Sequence, residues 1–171
     1  MKKVGVFYGP KGGSTEDVAK RIALQFGDSA ILIPVSDATA ADVNKYDNVI
    51  FGVATLGRET WTADVKGDWD LFFPELEKVN TEGKMFAIFG LGDHLTYSNN
   101  FVDAMGHVGK VLLGKGATLV GKCPTCDYTY NESEAVIDGQ FIGLPVDQIF
   151  ESEKTDERIK DWTVRLKNRF I

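Results

Sequence analysis

Two cysteines and two histidines are all that the 171 residues contain. A pair as sparse as Cys123 and Cys126 excludes a disulfide framework. His94 and His107 stand in no Cys/His/Asp cluster at ligand spacing, so they read as surface or packing residues and no metal is expected. No Ser-His-Asp or Cys-His arrangement suggests catalysis, so no catalytic residue is assigned. Apolar runs stay well short of the ~20 residues that cross a bilayer. Met1-Lys2-Lys3 passes directly into a strand pattern, which predicts no signal peptide and a cytoplasmic chain. Basic residues are in deficit, 19 Lys and Arg against 25 Asp and Glu. That balance, formally −6, argues against nucleic acid and membrane surfaces and suits docking onto basic partner surfaces. Repeats and low-complexity linkers are absent as well.

What the chain does have is a regular alternation. Its composition, 43% hydrophobic and 26% charged, suits one globular domain over 1–171. Val4 to Tyr8 reads as a buried strand, and Asp17 to Phe26 as a helix with Val18, Ala19, Ile22 and Phe26 at helical spacing. Ala30 to Val35 is a second strand, which Pro34 ends or places near an edge. Ala38 to Asn44 supplies one or two helical turns. Strands follow at Asp47–Val53, Gly83–Gly90 and Ala117–Gly121, with helices around Asp68–Leu76 and Phe101–Leu113. Lys122 to Asp138 is polar and mixed, an excursion rather than a core element, and Phe141 to Leu144 resumes strand character. Thr155-Asp156-Glu157-Arg158 caps a last helix whose Ile159, Trp162, Leu166 and Phe170 fall on one stripe.

Five strands alternating with helices predict an α/β fold of right-handed β-α-β units, with a parallel sheet covered on both faces. Ligands of such sheets bind beyond the carboxyl ends of the strands. Three loops at those ends are longer and richer in Gly, Asn and Asp than a connection requires: Gly9–Thr15, Ala54–Lys66 and Leu91–Asn100. The first is a Gly-rich strand-to-helix turn, which aims backbone N–H groups and a helix dipole at one spot and favours a phosphate there. Gly-Pro-Lys-Gly-Gly-Ser-Thr is neither a Walker A nor a Gly-x-Gly-x-x-Gly pattern. Ser14 and Thr15 are also the expected caps of the following helix.

More specific are Phe7-Tyr8-Gly9 followed by Gly13-x-Thr15-Glu16, and Gly90-Leu91-Gly92-Asp93 followed by Tyr97 and Asn100-Phe101-x-Asp103-Ala104. Gly139-Gln140-Phe141-Ile142-Gly143-Leu144 and the Thr155–Arg158 segment with Trp162 complete the set. On these residues the chain resembles the flavodoxins along almost its whole length. The excursion at about 122–138 resembles the insertion in the fifth strand that defines their long-chain group. The resemblance implies a three-layer, flavodoxin-like fold, its five-stranded parallel sheet in the order 2-1-3-4-5 with helices on both faces. It implies non-covalent FMN and a low-potential one-electron carrier, without an activity of its own. As a monomer it would shuttle between a reductase-type donor and an acceptor enzyme through transient contacts.

The resemblance also assigns a site. Gly9, Pro10, Lys11, Gly12, Gly13, Ser14 and Thr15 correspond to the phosphate loop. The family usually has hydroxyls where Pro10 and Gly12 stand, so hydroxyl donors remain only at the helix end, and Lys11 is either an extra charge or a solvated side chain. Ala54, Thr55, Leu56, Gly57 and Arg58 correspond to the loop on the inner face of the flavin ring, which Leu56 or Trp61 covers. Leu91, Gly92, Asp93, Tyr97, Asn100, Phe101 and Asp103 form the third segment. There Tyr97 stacks on the outer face, and Asp93 and Asn100 meet the pyrimidine edge. Asp93 could equally cap its own turn. Cys123-Pro124-Thr125-Cys126 lacks the second ligand pair of a zinc site and follows a strand, so it reads as ordinary thiols or a reversible disulfide. Two other readings stay open: a small FMN-dependent quinone or nitro reductase, and a binding module that has lost FMN.

Gly57-Arg58 matches the peptide that turns over when the family's flavin is reduced, and a cation there would stabilise the anionic, fully reduced ring. Arg58→Glu is expected to lower the potential of the second one-electron step, measured by redox titration. An unchanged potential would place the side chain in solvent, away from the ring.

Overall fold

The computed structural model describes residues 2–54 and 66–171. Val4–Gly9 (β1) is buried at every position, as a strand covered on both faces must be. It pairs in parallel with Ala30–Pro34 (β2) on one side and Asn48–Ala54 (β3) on the other. Met85–Leu91 (β4) lies beyond β3, and Thr118–Leu119 (β5) beyond β4, which gives the expected order β2-β1-β3-β4-β5. β2 is the edge strand that Pro34 predicted. Proline has no N–H to give a neighbour, and at an edge none is required.

The position beside β4 is shared by two pieces. After Leu119 the chain turns away at Gly121, whose φ of 80° suits glycine and where a Cβ would lie 2.6 Å from the Trp162 indole nitrogen. Cys123–Pro124 (β6), Val136–Ile137 (β7) and Gln140–Phe141 (β8) then form a separate antiparallel sheet in the order β6-β8-β7. The chain returns as Leu144–Val146 (β9), parallel to the end of β4 from Phe89 to Leu91. Of the expected fifth strand, Thr118 and Leu119 keep their ladder against the start of β4, and Val120 N still donates to the Phe86 carbonyl at 2.8 Å. The excursion also contributes to the core, contrary to its polar composition. Ala135 is fully buried, and Tyr128 and Tyr130 pack with Phe101 and Phe141 at ring separations of 5.2–6.0 Å. Strands of two residues are too short to leave a periodic signal in the sequence.

Two helices cover each face. Ser14–Phe26 (α1) packs on β1, β2 and β3 and against Thr155–Lys167 (α5). The stripe Ile159, Trp162, Leu166 and Phe170 is buried, and Trp162 Nε1 donates to the Gly121 carbonyl at 2.7 Å. In the chain between β2 and β3, Ala40–Val43 (α2) is a single turn. On the opposite face lie Asp68–Leu76 (α3) and Asp103–Gly114 (α4). There the Phe51 ring meets Phe7, Trp69, Phe72 and Phe86 at 5.6–6.3 Å. Neither expected hydroxyl cap forms. Gly13 is the N-cap of α1, with Ser14 and Thr15 already inside the helix, and Thr155 opens α5 with its hydroxyl accepting from Gln148 Nε2. Among the described residues no helix is long and apolar enough to cross a membrane.

Gly143 leads into β9, and a Cβ there would lie 2.0 Å from the Ile88 carbonyl oxygen, a backbone atom that cannot move aside without breaking the β4 ladder. Gly143→Ala is therefore expected to lower stability by about 3 kcal/mol, the upper end for overpacking. Gly116→Ala, at φ 75° but in open space, should lose only about 1 kcal/mol. Urea denaturation of both variants checks the contrast, and equal losses would contradict it.

Candidate functional site

The register of the sheet sets the site. Gly9 pairs with Val53, Val53 with Gly90, and Ala54 with Leu91, so β1, β3 and β4 end in line and their loops leave side by side. β9 reaches the same level, with Val146 opposite Leu91. From β1 the chain passes to β2 on one side and then to β3 on the other, which makes this the switch point of the sheet. Of the second loop, Ala54 closes β3 and is half-buried, while the expected contacts Thr55, Leu56, Gly57, Arg58 and Trp61 lie outside the described residues.

In the first loop, Gly9 is buried against Val35, whereas Pro10, Lys11, Gly12, Gly13 and Ser14 are exposed and Thr15 is buried. A Cβ at Gly12 or Gly13 would meet nothing within 4 Å, so the backbone there is open to an approaching group. The first amides of α1 have no carbonyl a turn earlier to bond, and the helix dipole adds positive potential at the same end. The loop is tied down by the chain's own acids. Lys11 N donates to Asp68 Oδ2 and Lys11 Nζ to Asp37 Oδ2, both at 3.1 Å. Gly12 N donates to Glu16 Oε2 at 2.6 Å, and Glu16 Oε1 pairs with Lys20 at 2.7 Å. Lys20 first, and then the Gly12 N–H, hold the Glu16 carboxyl below its ordinary range. Lys11 is thus neither a free charge nor a merely solvated one. Asp37 and Asp68 arrive from distant segments, and nothing in the sequence marked them. Glu16 stood within the matched motif, but its reach back to Gly12 could be found only as an acid four residues after a left-handed glycine.

The third loop is shaped mainly by its own backbone. Leu91 is buried in β4, and Gly92 N donates to the Val146 carbonyl at 3.0 Å. Asp93 Oδ1 accepts from Leu95 N at 3.0 Å and Thr96 N at 2.7 Å, so this buried carboxylate caps its own turn. Tyr97 N bonds the Asp93 carbonyl and Asn100 N the Tyr97 carbonyl, which leaves the Tyr97 ring half-buried and Asn100 exposed. Two of the expected contacts, Phe101 and Asp103, have their side chains turned into the protein. Phe101 is 1% exposed, its ring enclosed by Tyr128, Tyr130 and Phe141, so its side chain belongs to the core. Asp103 is buried too, its carboxylate accepting from Asn100 Nδ2 at 3.1 Å and Glu134 N at 2.8 Å. Both fasten the loop to the inserted segment, where the Asn131 and Glu132 amides donate to the Ser98 carbonyl. Of the two readings for His94, surface or packing, the structure shows packing. The residue is buried beside Asp147, a carboxylate with no solvent exposure.

Cys123 is buried and Cys126 exposed, and both are free thiols. Burial pushes the Cys123 thiol up although Arg165 Nη2 lies 3.3 Å from its sulfur. Among the described residues no group of three His, Cys, Asp or Glu could hold a metal ion.

Known proteins agree with this geometry. The family model described as Flavodoxin matches residues 6–160. A flavodoxin of Synechococcus elongatus is 39% identical over 173 residues, covering 99% of both chains. Flavodoxin 1 of Azotobacter vinelandii is 38% identical, covering all of this chain and 99% of its own. Among solved structures, Fusobacterium nucleatum flavodoxin bound to flavin mononucleotide superposes over the full length of both chains, with a TM-score of 0.89 and 25% identity. Sheet order, loop placement and these matches lead to one conclusion: the chain belongs to the flavodoxin family.

Proposed function

We propose that the protein is a low-potential one-electron carrier that binds FMN without a covalent bond and moves electrons between redox enzymes, having no substrate chemistry of its own. The observation that carries this is the open, side-chain-free backbone at Gly12 and Gly13, at the start of α1 and level with the Tyr97 loop. A terminal phosphate fits the first place, where Gly13, Ser14 and Thr15 present amides and hydroxyls at the positive end of the helix dipole. Gly9 and Pro10 turn the chain beneath it, and Lys11 stays with Asp37. A flat ring fits the second place, where Tyr97 offers an aromatic face and Leu91, Gly92, Asp93 and Asn100 present backbone and amide groups. Thr55, Leu56, Gly57 and Arg58, following Ala54, cover the other face in this reading. Bound FMN supplies the capacity to take up and release one electron at a time. The acidic chain, at −6, disfavours added negative charge on the group it holds, which keeps the potential low. It meets basic partner surfaces briefly, as a cytoplasmic monomer.

A visible spectrum of the purified protein during FMN titration and stepwise reduction tests the reading. One FMN per chain, with a broad long-wavelength band at half reduction, is expected. Direct two-electron bleaching would indicate a reductase instead, and no binding at micromolar FMN would remove the assignment.

Glu16 makes a further prediction. Its carboxylate is already on the Gly12 N–H, facing the place of the phosphate. Because its carboxyl is held below the ordinary range, it is charged at neutral pH, and its repulsion fades only as pH falls below the usual carboxylate range. Glu16→Gln keeps an acceptor for Gly12 and removes the charge. FMN affinity should rise about tenfold while riboflavin, which has no phosphate, binds as before. Fluorescence titration with both flavins measures the ratio, and an unchanged ratio would show that Glu16 turns away when FMN binds.

A further inference from the structure

Asp147 is fully buried and forms no part of the loops assigned to the cofactor. It follows β9, and its two oxygens serve two segments. Oδ1 accepts from the amides of Ile149 at 2.8 Å and Phe150 at 2.9 Å, closing its own turn. Oδ2 accepts the His94 amide at 3.0 Å and faces the His94 ring nitrogen Nδ1 at 2.5 Å. The His94 ring stands edge-on between Phe101 and Phe150, with centroids 6.3 and 6.1 Å away. One residue earlier, Asp93 begins the turn that delivers Tyr97, and two residues earlier Gly92 is bonded to Val146. His94 therefore bridges the β4 loop to the β9 turn at the base of the segment that carries Tyr97.

The chemistry of the pair fixes the proton. Burial pulls the Asp147 carboxyl upward, but the amides of Phe150, His94 and Ile149 and the imidazole outweigh it and hold the group below its ordinary range. An ionised carboxylate only accepts, so the proton between the two groups sits on Nδ1, and the neutral ring is the Nδ1–H tautomer. Such a second partner behind a binding loop fixes orientation, as outer-layer carboxylates do for ligating histidines.

We propose that His94 is a positioning residue for the flavin ring: through Asp147 it holds the β4 loop in the conformation that presents Tyr97 and the Gly92–Asp93 backbone. The inference rests on the FMN reading and deepens it, because no other observation assigns His94 a role. It separates two contributions to binding. The pair acts on the ring alone, and the phosphate loop is independent of it.

The test uses the full chain with His94→Leu and His94→Asn. Asparagine can place an amide N–H where Nδ1–H stands, and leucine cannot. Riboflavin and FMN affinities are measured by flavin fluorescence, with thermal melting to confirm folding. His94→Leu should weaken both flavins at least tenfold and by the same factor, and His94→Asn should recover to within threefold of the wild type. Riboflavin binding unchanged in His94→Leu, or no recovery in His94→Asn, overturns the inference while leaving FMN binding intact. A wild-type chain that binds neither flavin overturns the FMN reading and the inference with it. Nitrogen-15 NMR of the wild-type histidines needs no variant. A protonated Nδ1 on His94 whose exchange slows further with riboflavin is expected, and an Nε2–H tautomer overturns the proposal.

Discussion

The parallel register of β1, β3 and β4 is the constraint from which the site follows. Because Gly9, Val53 and Gly90 stand opposite one another, the three strands release their loops at one level. Parallel strands need long crossovers, and the helices that supply them bury both faces of the sheet. Side chains on the strands are therefore committed to the core, and ligand chemistry is left to the loops. Glycine at the strand ends has a packing reason as well. A Cβ on Gly9 would strike Val35, and one on Gly90 would strike Met105.

Charge is the second organising theme, and it works locally as much as globally. A chain with excess acid places three of its own carboxylates, from Glu16, Asp37 and Asp68, on the donors of the Gly-rich turn before α1. These contacts are exposed and individually weak. Their effect is to order a loop that is short of hydroxyls, since two positions that could have carried them are Pro10 and Gly12. The groups that hold the loop have the same sign as the phosphate proposed to bind there, so order in the loop and that proposed affinity would oppose each other. At the other end of the site the buried Asp147 has no such conflict. It satisfies four donors inside the protein and has no solvent exposure.

The strands and helices were legible because their apolar periods are long, and the resemblance of Gly90-Leu91-Gly92-Asp93 and its neighbours carried the order of the sheet. Errors came where local signals compete. Ser14, Thr15 and Thr155 have the side chains of caps, yet in each helix the chain enters one residue earlier through backbone alone. Phe101 and Asp103 sit in a matched motif, and the motif did not show that both side chains are buried and fasten the loop to the inserted segment. His94 and Asp147 are 53 positions apart, and only the fold brings them together. The tyrosines of the inserted segment failed for a related reason, since their partners Phe101 and Phe141 come from either side of the insertion.

The divided strand beside β4 has a consequence for solubility. An exposed sheet edge offers unpaired amides and carbonyls to any passing chain, and a long flat edge invites aggregation. Here one edge is β2, five residues long and ending in a proline, and the other is two pieces of two and three residues with a separate small antiparallel sheet between them in the chain. Both give a second molecule only a short ladder, interrupted on one side and closed by a proline on the other. Strand addition between copies is thereby given little to build on at either edge.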